Sequence, residues 1–310
     1  MGRFLGEIAK LVCVVGLAAT GLDLAYTTVL ARFSDRSVLH RVRHMRGRHC
    51  DYIVVGSSRA LHHVDPSVLE REFGKRGLNL GEQDSRGRDA YRVVRDFLDA
   101  NTTAAVFVHV DKEWGQEGSS PLVTSLYAPF VRETKDAADG RDLFGGDYPL
   151  YCWIPFYRYV KFGPAIGFRE VLFSLLGKRR LAASGFGPVH GTGFNANVNM
   201  EQPTFPDRMN QDHARILDLC RERGVAAHFF TSPCHGMHYD TATLEKYLPG
   251  YKDFSDSLPE RQYFGDPRHM NATGAAAFTR LFGDAFFGPA AGDVQPSSRS
   301  QNRPSEATRE

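Results

Sequence analysis

From about residue 51 onward, short continuous apolar runs alternate with longer stretches in which apolar residues recur every three or four positions. Tyr52-Ile-Val-Val-Gly56 predicts a buried strand, Gly77-Leu-Asn-Leu-Gly81 a second, Ala104–Val110 a third and Val225–Thr231 a fourth. Asp65-Pro66 starts a helix, because aspartate caps a free end and proline suits the first helical position. Ala90, Val93, Val94, Phe97 and Leu98 define the next helix. Ile216, Leu217 and Cys220 mark another over about 208–223, which Gly224 closes. A last amphipathic helix is expected from about Asn271 to Phe286. Strands separated by helices pair in parallel and need helices on both faces, so the pattern predicts an α/β fold with a doubly wound sheet. In such sheets the working site lies at the carboxyl ends of the strands.

Two regions depart from this alternation. Leu11–Ala31 is apolar apart from Asp23, and as a helix it spans roughly 30 Å, one bilayer core. It is expected to be an uncleaved membrane anchor after a short flank at 1–10, since no clear small-residue cleavage site follows the apolar run. Residues 32–50, with Arg32, Arg36, Arg41, Arg43, Arg46 and Arg48, read as a basic linker. Those arginines favour a cytoplasmic domain by the positive-inside rule. Residues 51–288 then form the domain. Within it, about 114–202 is an aromatic and proline-rich insertion with at most a few short helices, expected to pack over the sheet's carboxyl edge. Residues 289–310 read as a disordered tail.

The chain has 310 residues, 42% hydrophobic, with a formal net charge of +2. That is enough to bury a full core, and the charge balance argues against nucleic acid as the main partner. The five cysteines are scattered with no CxxC pair, which argues against a zinc ribbon or a dense disulfide scaffold. Gly185-Phe-Gly187-Pro-Val-His-Gly191 imitates a nucleotide loop, but its spacing is wrong and no strand precedes it.

The candidate chemistry follows two of these elements. Gly56-Ser57-Ser58-Arg59 puts serines at a strand-to-helix turn, where a side chain is exposed and its own backbone N–H faces an incoming oxyanion. Asp266-Pro-Arg-His269 precedes the last helix, a spacing at which the acid can orient the base. His62 and His63 follow the serine turn, and Cys234, His235 and His238 follow the fourth strand. The latter three are metal-type ligands, but no second cluster supports a site, and no metal or cofactor is expected.

In this order and strand context, Gly56-Ser57-Ser58-Arg59, Asn79-Leu80-Gly81 and Asp266-x-x-His269 resemble the SGNH/GDSL hydrolase superfamily. The chain is more narrowly similar to membrane-anchored bacterial members with a Gly-Ser-Ser-Arg first block. The resemblance runs from about Asp51 to Phe287. It implies a three-layer α/β/α fold that acts on ester-linked acyl groups, with Ser58 as nucleophile, His269 as general base and Asp266 orienting it. It also implies an oxyanion hole from Ser58 and a glycine N–H after the second strand, completed by an asparagine after the third. Here the glycine position falls on Asp84, with Gly81 and Gly87 as alternatives, and the asparagine position is Asp111. An ionised aspartate cannot donate a hydrogen bond, and one lost donor costs about 3–4 kcal/mol of transition-state stabilisation. Arg59, His63, Asp111 and His235 are candidates for the substrate pocket. The expectation is an anchored, exported serine esterase or acyltransferase, with acylated cell-surface or exported polysaccharide as substrate. The alternative is an inactive binding or assembly protein on the same fold.

Overall fold

The computed structural model describes residues 1–134, 136–178, 181–191, 202–237 and 239–288. The tail at 289–310 lies outside them. A single long helix, α1 (Gly2–Phe33), leads into α2 (Val38–His44) and β1 (His49–Gly56). Then come α3 (Ser58–His63), α4 (Pro66–Phe73), β2 (Gly77–Gly81), α5 (Gly87–Leu98) and β3 (Thr102–His109). Among the described residues the insertion holds six short α-helices: α6 (Pro121–Tyr127), α7 (Ala137–Phe144), α8 (Tyr148–Trp153), α9 (Tyr157–Lys161), α10 (Gly163–Ile166) and α11 (Phe168–Leu175). The chain returns through α12 (Gln211–Arg223), β4 (Ala226–Thr231), α13 (Ala242–Tyr247), β5 (Lys252–Asp253) and α14 (Ala272–Phe287).

The five strands form an all-parallel sheet in the order β2-β1-β3-β4-β5. Successive side chains of a strand leave opposite faces. Ile53, Val55, Val106 and Val108 therefore enter a core with residues of α2, α5 and α12. Tyr52, Val54, Ala105 and Phe107 enter another with residues of α3, α4 and α14. Helices covering both faces are consistent with a three-layer α/β/α arrangement. The four expected strands are present to within about two or three residues at each end. β5 is additional, and its two residues are too short for any period to reveal.

Residues 32–50 are not a linker. Val38 and Val42 of α2 are buried against the sheet-side core, and Leu39 against the insertion. Ser37 caps the helix, and the Val38 N–H donates to the buried Glu82 carboxylate at 2.8 Å. Several arginines serve the same docking: Arg36 pairs with Glu170, Arg41 donates to the Ala182 and Ala183 carbonyls, and Arg43 pairs with Asp96 and Glu133. The basic composition hid the apolar face between the charges.

The insertion also departs from expectation. Most of it packs on α1, α2 and α5 rather than over the carboxyl edge of the sheet. Tyr127, Val131 and Tyr151 pack with Leu39, while Tyr159 and Val171 pack with Leu30. Arg92 of α5 reaches Asp139 at 2.9 Å and Asp142 at 2.6 Å. The only charge in the apolar stretch, Asp23, lies here. It is buried and accepts from Arg158 at 2.8 Å and from the Phe156 N–H at 2.8 Å. Phe156, Tyr159 and Phe162 thus find their burial against the domain-proximal third of α1, and Tyr127, Phe144 and Tyr151 against α2.

The 182–191 segment does reach the sheet, along the outer edge of β2. Ser184 O accepts from the Asn79 N–H at 2.8 Å, and Phe186 is buried in the second core. Gly185 has φ +92, and a Cβ there would meet Asn79 O, so only glycine fits this approach. The superficially nucleotide-like glycines cap a strand edge.

Asp23→Ala leaves the buried Arg158 guanidinium without its carboxylate. Removing one partner of a buried pair costs about 3–5 kcal/mol. Full-length protein in detergent should therefore unfold at a lower temperature than wild type, and Asp23→Leu combined with Arg158→Met should recover much of the loss.

Candidate active site

Strand order reverses between β1 and β3, because the chain leaves β1 toward β2 on one side and returns to β3 on the other. That leaves a crevice at their carboxyl ends. Gly56 closes β1 with φ +139, and a Cβ there would sit 2.8 Å from the His109 Cβ at the end of β3. Glycine lets the chain turn sharply against the neighbouring strand and start α3. Ser57 caps α3, accepting from the Arg59 N–H at 3.4 Å, and Ser58 takes the first helical position, half-buried. Asn79 on β2 holds α3 in place: its amide donates to the Ala60 and Val64 carbonyls at 2.7 Å each. Its carbonyl oxygen accepts from the Gly81 N–H at 2.9 Å.

The loop before α14 meets this turn. His269 Nε2 lies 2.8 Å from Ser58 Oγ, and His269 Nδ1 lies 2.8 Å from Asp266 Oδ2. Asp266 Oδ1 also accepts from the Arg268 and His269 backbone N–H groups at 2.8 and 3.0 Å. Partial burial works to raise the Asp266 carboxyl, but the hydrogen bonds from His269 and Arg268 outweigh it and hold it below the ordinary aspartate range. An ionised Asp266 fixes the proton on Nδ1, which leaves Nε2 free to accept the Ser58 hydroxyl proton. The structure thus joins Ser58, His269 and Asp266 in one relay. Ser57 is directed elsewhere, with its hydroxyl donating to Asp111 at 3.3 Å.

The loop itself is held from β4. The His235 N–H donates to Pro267 O at 3.1 Å, and His235 Nδ1 lies 3.0 Å from Pro259 O. His235 is therefore a brace for the Asp266 loop rather than a pocket residue. Cys234 packs on the same loop with its thiol 3.4 Å from Pro267 O, and burial pushes that thiol up, away from thiolate chemistry. His238 lies outside the described residues.

His63 is also no pocket residue, being fully buried. Its Nε2 accepts from the Met270 N–H at 3.1 Å, so Nδ1 carries the proton and donates to Ser232 Oγ at 2.8 Å. Ser232 Oγ lies 3.0 Å from His109 Nε2, and His109 Nδ1 lies 3.7 Å from Asp111. This buried chain connects α3, the Asp266 loop, the end of β4 and β3. No single sequence motif contains it, which is why Ser232 and His109 escaped the reading of the sequence.

The acidic residues of the oxyanion region prove to be engaged. Asp111 is buried beside Arg59 at 3.4 Å, and Arg59 also donates to Tyr239 Oη and Ser232 O. Burial works against the Arg59 charge, but its neighbours Tyr239 and Asp111 outweigh it and hold Arg59 above the ordinary arginine range. Asp84 is exposed, and its carboxylate accepts from Ser120 Oγ at 2.9 Å. Its backbone has φ +58, a conformation that usually selects glycine. Gly81 is excluded as an oxyanion donor because Asn79 occupies its N–H. Gly87 opens α5 against the His213 ring.

A cavity of about 370 Å³ adjoins this turn, lined by Arg59, Asp111, Lys112, Met237, Tyr239 and Arg268 among others. A larger one, about 640 Å³, lies between α1, α2 and α5; neither is lined by a relay residue itself, but the smaller is lined by Arg59 and Arg268, the chain neighbours of Ser58 and His269. The chemistry therefore points to the smaller cavity. No family model matches this chain, and no curated protein matches it.

Four buried histidines give the fold a pH limit. Burial lowers His40 and His213 to about 4 and His109 to about 3, and puts His63 well below its ordinary 6.5. They are neutral in the fold, whereas the unfolded chain binds protons below pH 6.5. Stability is therefore fully present above that value and is lost as pH falls toward 4. Thermal unfolding scans from pH 7.5 to 4.5 should show a midpoint that falls steeply below pH 6.

Proposed function

We propose that this chain is a membrane-anchored serine esterase or O-acyltransferase of SGNH type, with the three-layer, doubly wound fold of that superfamily. The carrying observation is the unbroken relay from Ser58 Oγ through His269 to Asp266, with 2.8 Å at both links. In this reading His269 Nε2 takes the Ser58 proton as Ser58 Oγ attacks the acyl carbon. The tetrahedral intermediate collapses, His269 returns the proton to the departing alcohol oxygen, and the acyl group stays on Ser58. Water or an acceptor hydroxyl, deprotonated by His269, then attacks that ester and restores Ser58.

The Ser58 N–H supports the oxyanion, since a first-turn N–H has no partner within its helix. The left-handed backbone at Asp84, where the resemblance places a glycine, favours that residue's N–H as the second donor. Asp111 remains an aspartate, and its charge is balanced by Arg59 instead of facing the site bare. The site keeps two donors where the superfamily has three, which favours a slow, specialised enzyme.

N-terminal helix α1 is long and apolar enough to cross a membrane. Retention of that helix is supported by Asp23, because removing it would strand Arg158 in the interior. We place the domain on the exported side. Two of the arginines after the helix, Arg36 and Arg43, are drawn into the fold by Glu170, Asp96 and Glu133, so they have a structural reason to be there. An anchored, exported domain acts near the membrane surface, which favours acylated cell-surface or exported polysaccharide as substrate.

A fluorophosphonate probe tests the relay. Full-length protein in detergent should be labelled on the peptide containing Ser58, and Ser58→Ala should abolish that labelling. In an ester-cleavage assay, loss of the nucleophile or of His269 should cost on the order of 10⁴-fold or more in turnover. A folded wild-type protein that resists the probe would favour the inactive binding or assembly protein.

A further inference from the structure

Single exposed apolar side chains are ordinary on a protein surface, but a cluster of them marks a contact. Among the described residues, every large exposed apolar side chain outside α1, apart from Met1 and Leu281, lies between residues 150 and 176 of the insertion. Trp153 is 82% exposed and Val160 69%, with Ile154 between them also exposed. On α11, Phe168, Leu172, Leu175 and Leu176 form a stripe at helical spacing along the outer face. The inner face of α11 already has its burial, through Val171 and Ser174. The helix is therefore apolar toward solvent as well as toward the protein, which a water-facing helix of this length would not be.

The position of this surface identifies what covers it. Helices α8 to α11 pack on one another, and α11 packs on α1. Phe156 donates its N–H to Asp23 and meets the Tyr26 ring edge-on at 5.0 Å. Trp153 and Ile154 therefore stand close to the point where the exposed apolar surface of α1, with Leu22 and Leu24, meets the domain. The exposed apolar residues of α8 to α11 thus belong to the elements that pack directly on α1. Exposed Lys161, Arg169 and Lys178 interrupt and border the patch, as cations do where an apolar face meets lipid headgroups. An exposed tryptophan at such a border matches the preference of indole for the interface.

We infer that the outer face of the 148–176 insertion is a membrane-docking platform, which lies in the interfacial layer of the leaflet that α1 enters. The inference rests on the reading of α1 as a bilayer span. The platform, the Asp23–Arg158 pair and α1 then act as one rigid foot. It sets the height and tilt of the catalytic crevice above the membrane, so the Ser58 site would reach acyl groups at one fixed distance from the bilayer.

The chain has two tryptophans, of which Trp114 is buried and Trp153 is exposed, so fluorescence can read the platform directly. Full-length protein is reconstituted into phosphatidylcholine vesicles with brominated acyl chains, and Trp153→Phe supplies the Trp114 background. The expected result is a blue-shifted Trp153 emission that brominated lipid quenches and aqueous iodide does not. Phe168→Glu combined with Leu175→Glu, with unchanged circular dichroism, should abolish the lipid quenching and restore access to iodide. Trp153 emission that iodide quenches and lipid does not, in protein that resists alkaline extraction, overturns the platform while the anchor stands. Release of the protein by alkaline extraction overturns the anchor itself. Shielding from both quenchers means that another protein chain covers the face, and also overturns the proposal.

Discussion

The reversal of strand order between β1 and β3 is the constraint from which the rest of this structure follows. Parallel strands need crossover connections, and where two crossovers diverge the carboxyl ends of neighbouring strands are left uncovered. Here Gly56 and His109 lie so close at that point that no side chain fits between them. The chain must turn at once into α3, which presents Ser58 at its first position. The Asn79 amide, bonded to the Ala60 and Val64 carbonyls, then fixes the direction of that helix against β2. The nucleophile candidate is set by backbone geometry before any catalytic partner is considered.

The partners arrive from the far end of the domain and are held by a buried polar chain. His63, Ser232, His109 and Asp111 join α3, β4 and β3, and Met270 connects the chain to the Asp266 loop. The hydrogen-bonded links of this chain fix those elements against one another, while His109 Nδ1, 3.7 Å from Asp111, makes no hydrogen bond among the described residues. The buried Arg59 similarly neutralises Asp111 and touches Tyr239, so the same residue that follows the nucleophile helps to shape the adjoining cavity. Charges that look hostile to an oxyanion when read along the sequence become paired groups in space.

A second, independent assembly lies on the opposite flank. The insertion, α2 and the domain-proximal third of α1 share two small apolar clusters, with Asp23 and Arg158 paired among them. This explains how an otherwise apolar helix tolerates an aspartate. It also explains why the segment rich in arginine is structured: its cations meet Glu170, Asp96 and Glu133 around a small apolar face.

Sequence alone determined the four longer strands, the helices α4, α5, α12 and α14, the apolar N-terminal helix and the order of the two short blocks that carry Ser58 and His269. These are local properties: the period of apolar residues, capping chemistry and the reach of a few residues. Ser58 was legible against Ser57 only through resemblance, whereas the structure separates them by where each hydroxyl points. Tertiary structure alone decided that 32–50 packs into the fold, that His63 and His235 brace the site, and that Gly81 is already bonded. It also placed most of the described insertion on α1, α2 and α5 rather than on the carboxyl edge. Each of these depends on contacts between residues far apart in the chain. Such contacts leave no periodic trace, because burial and charge pairing are fixed by which surfaces meet and not by what stands next in sequence.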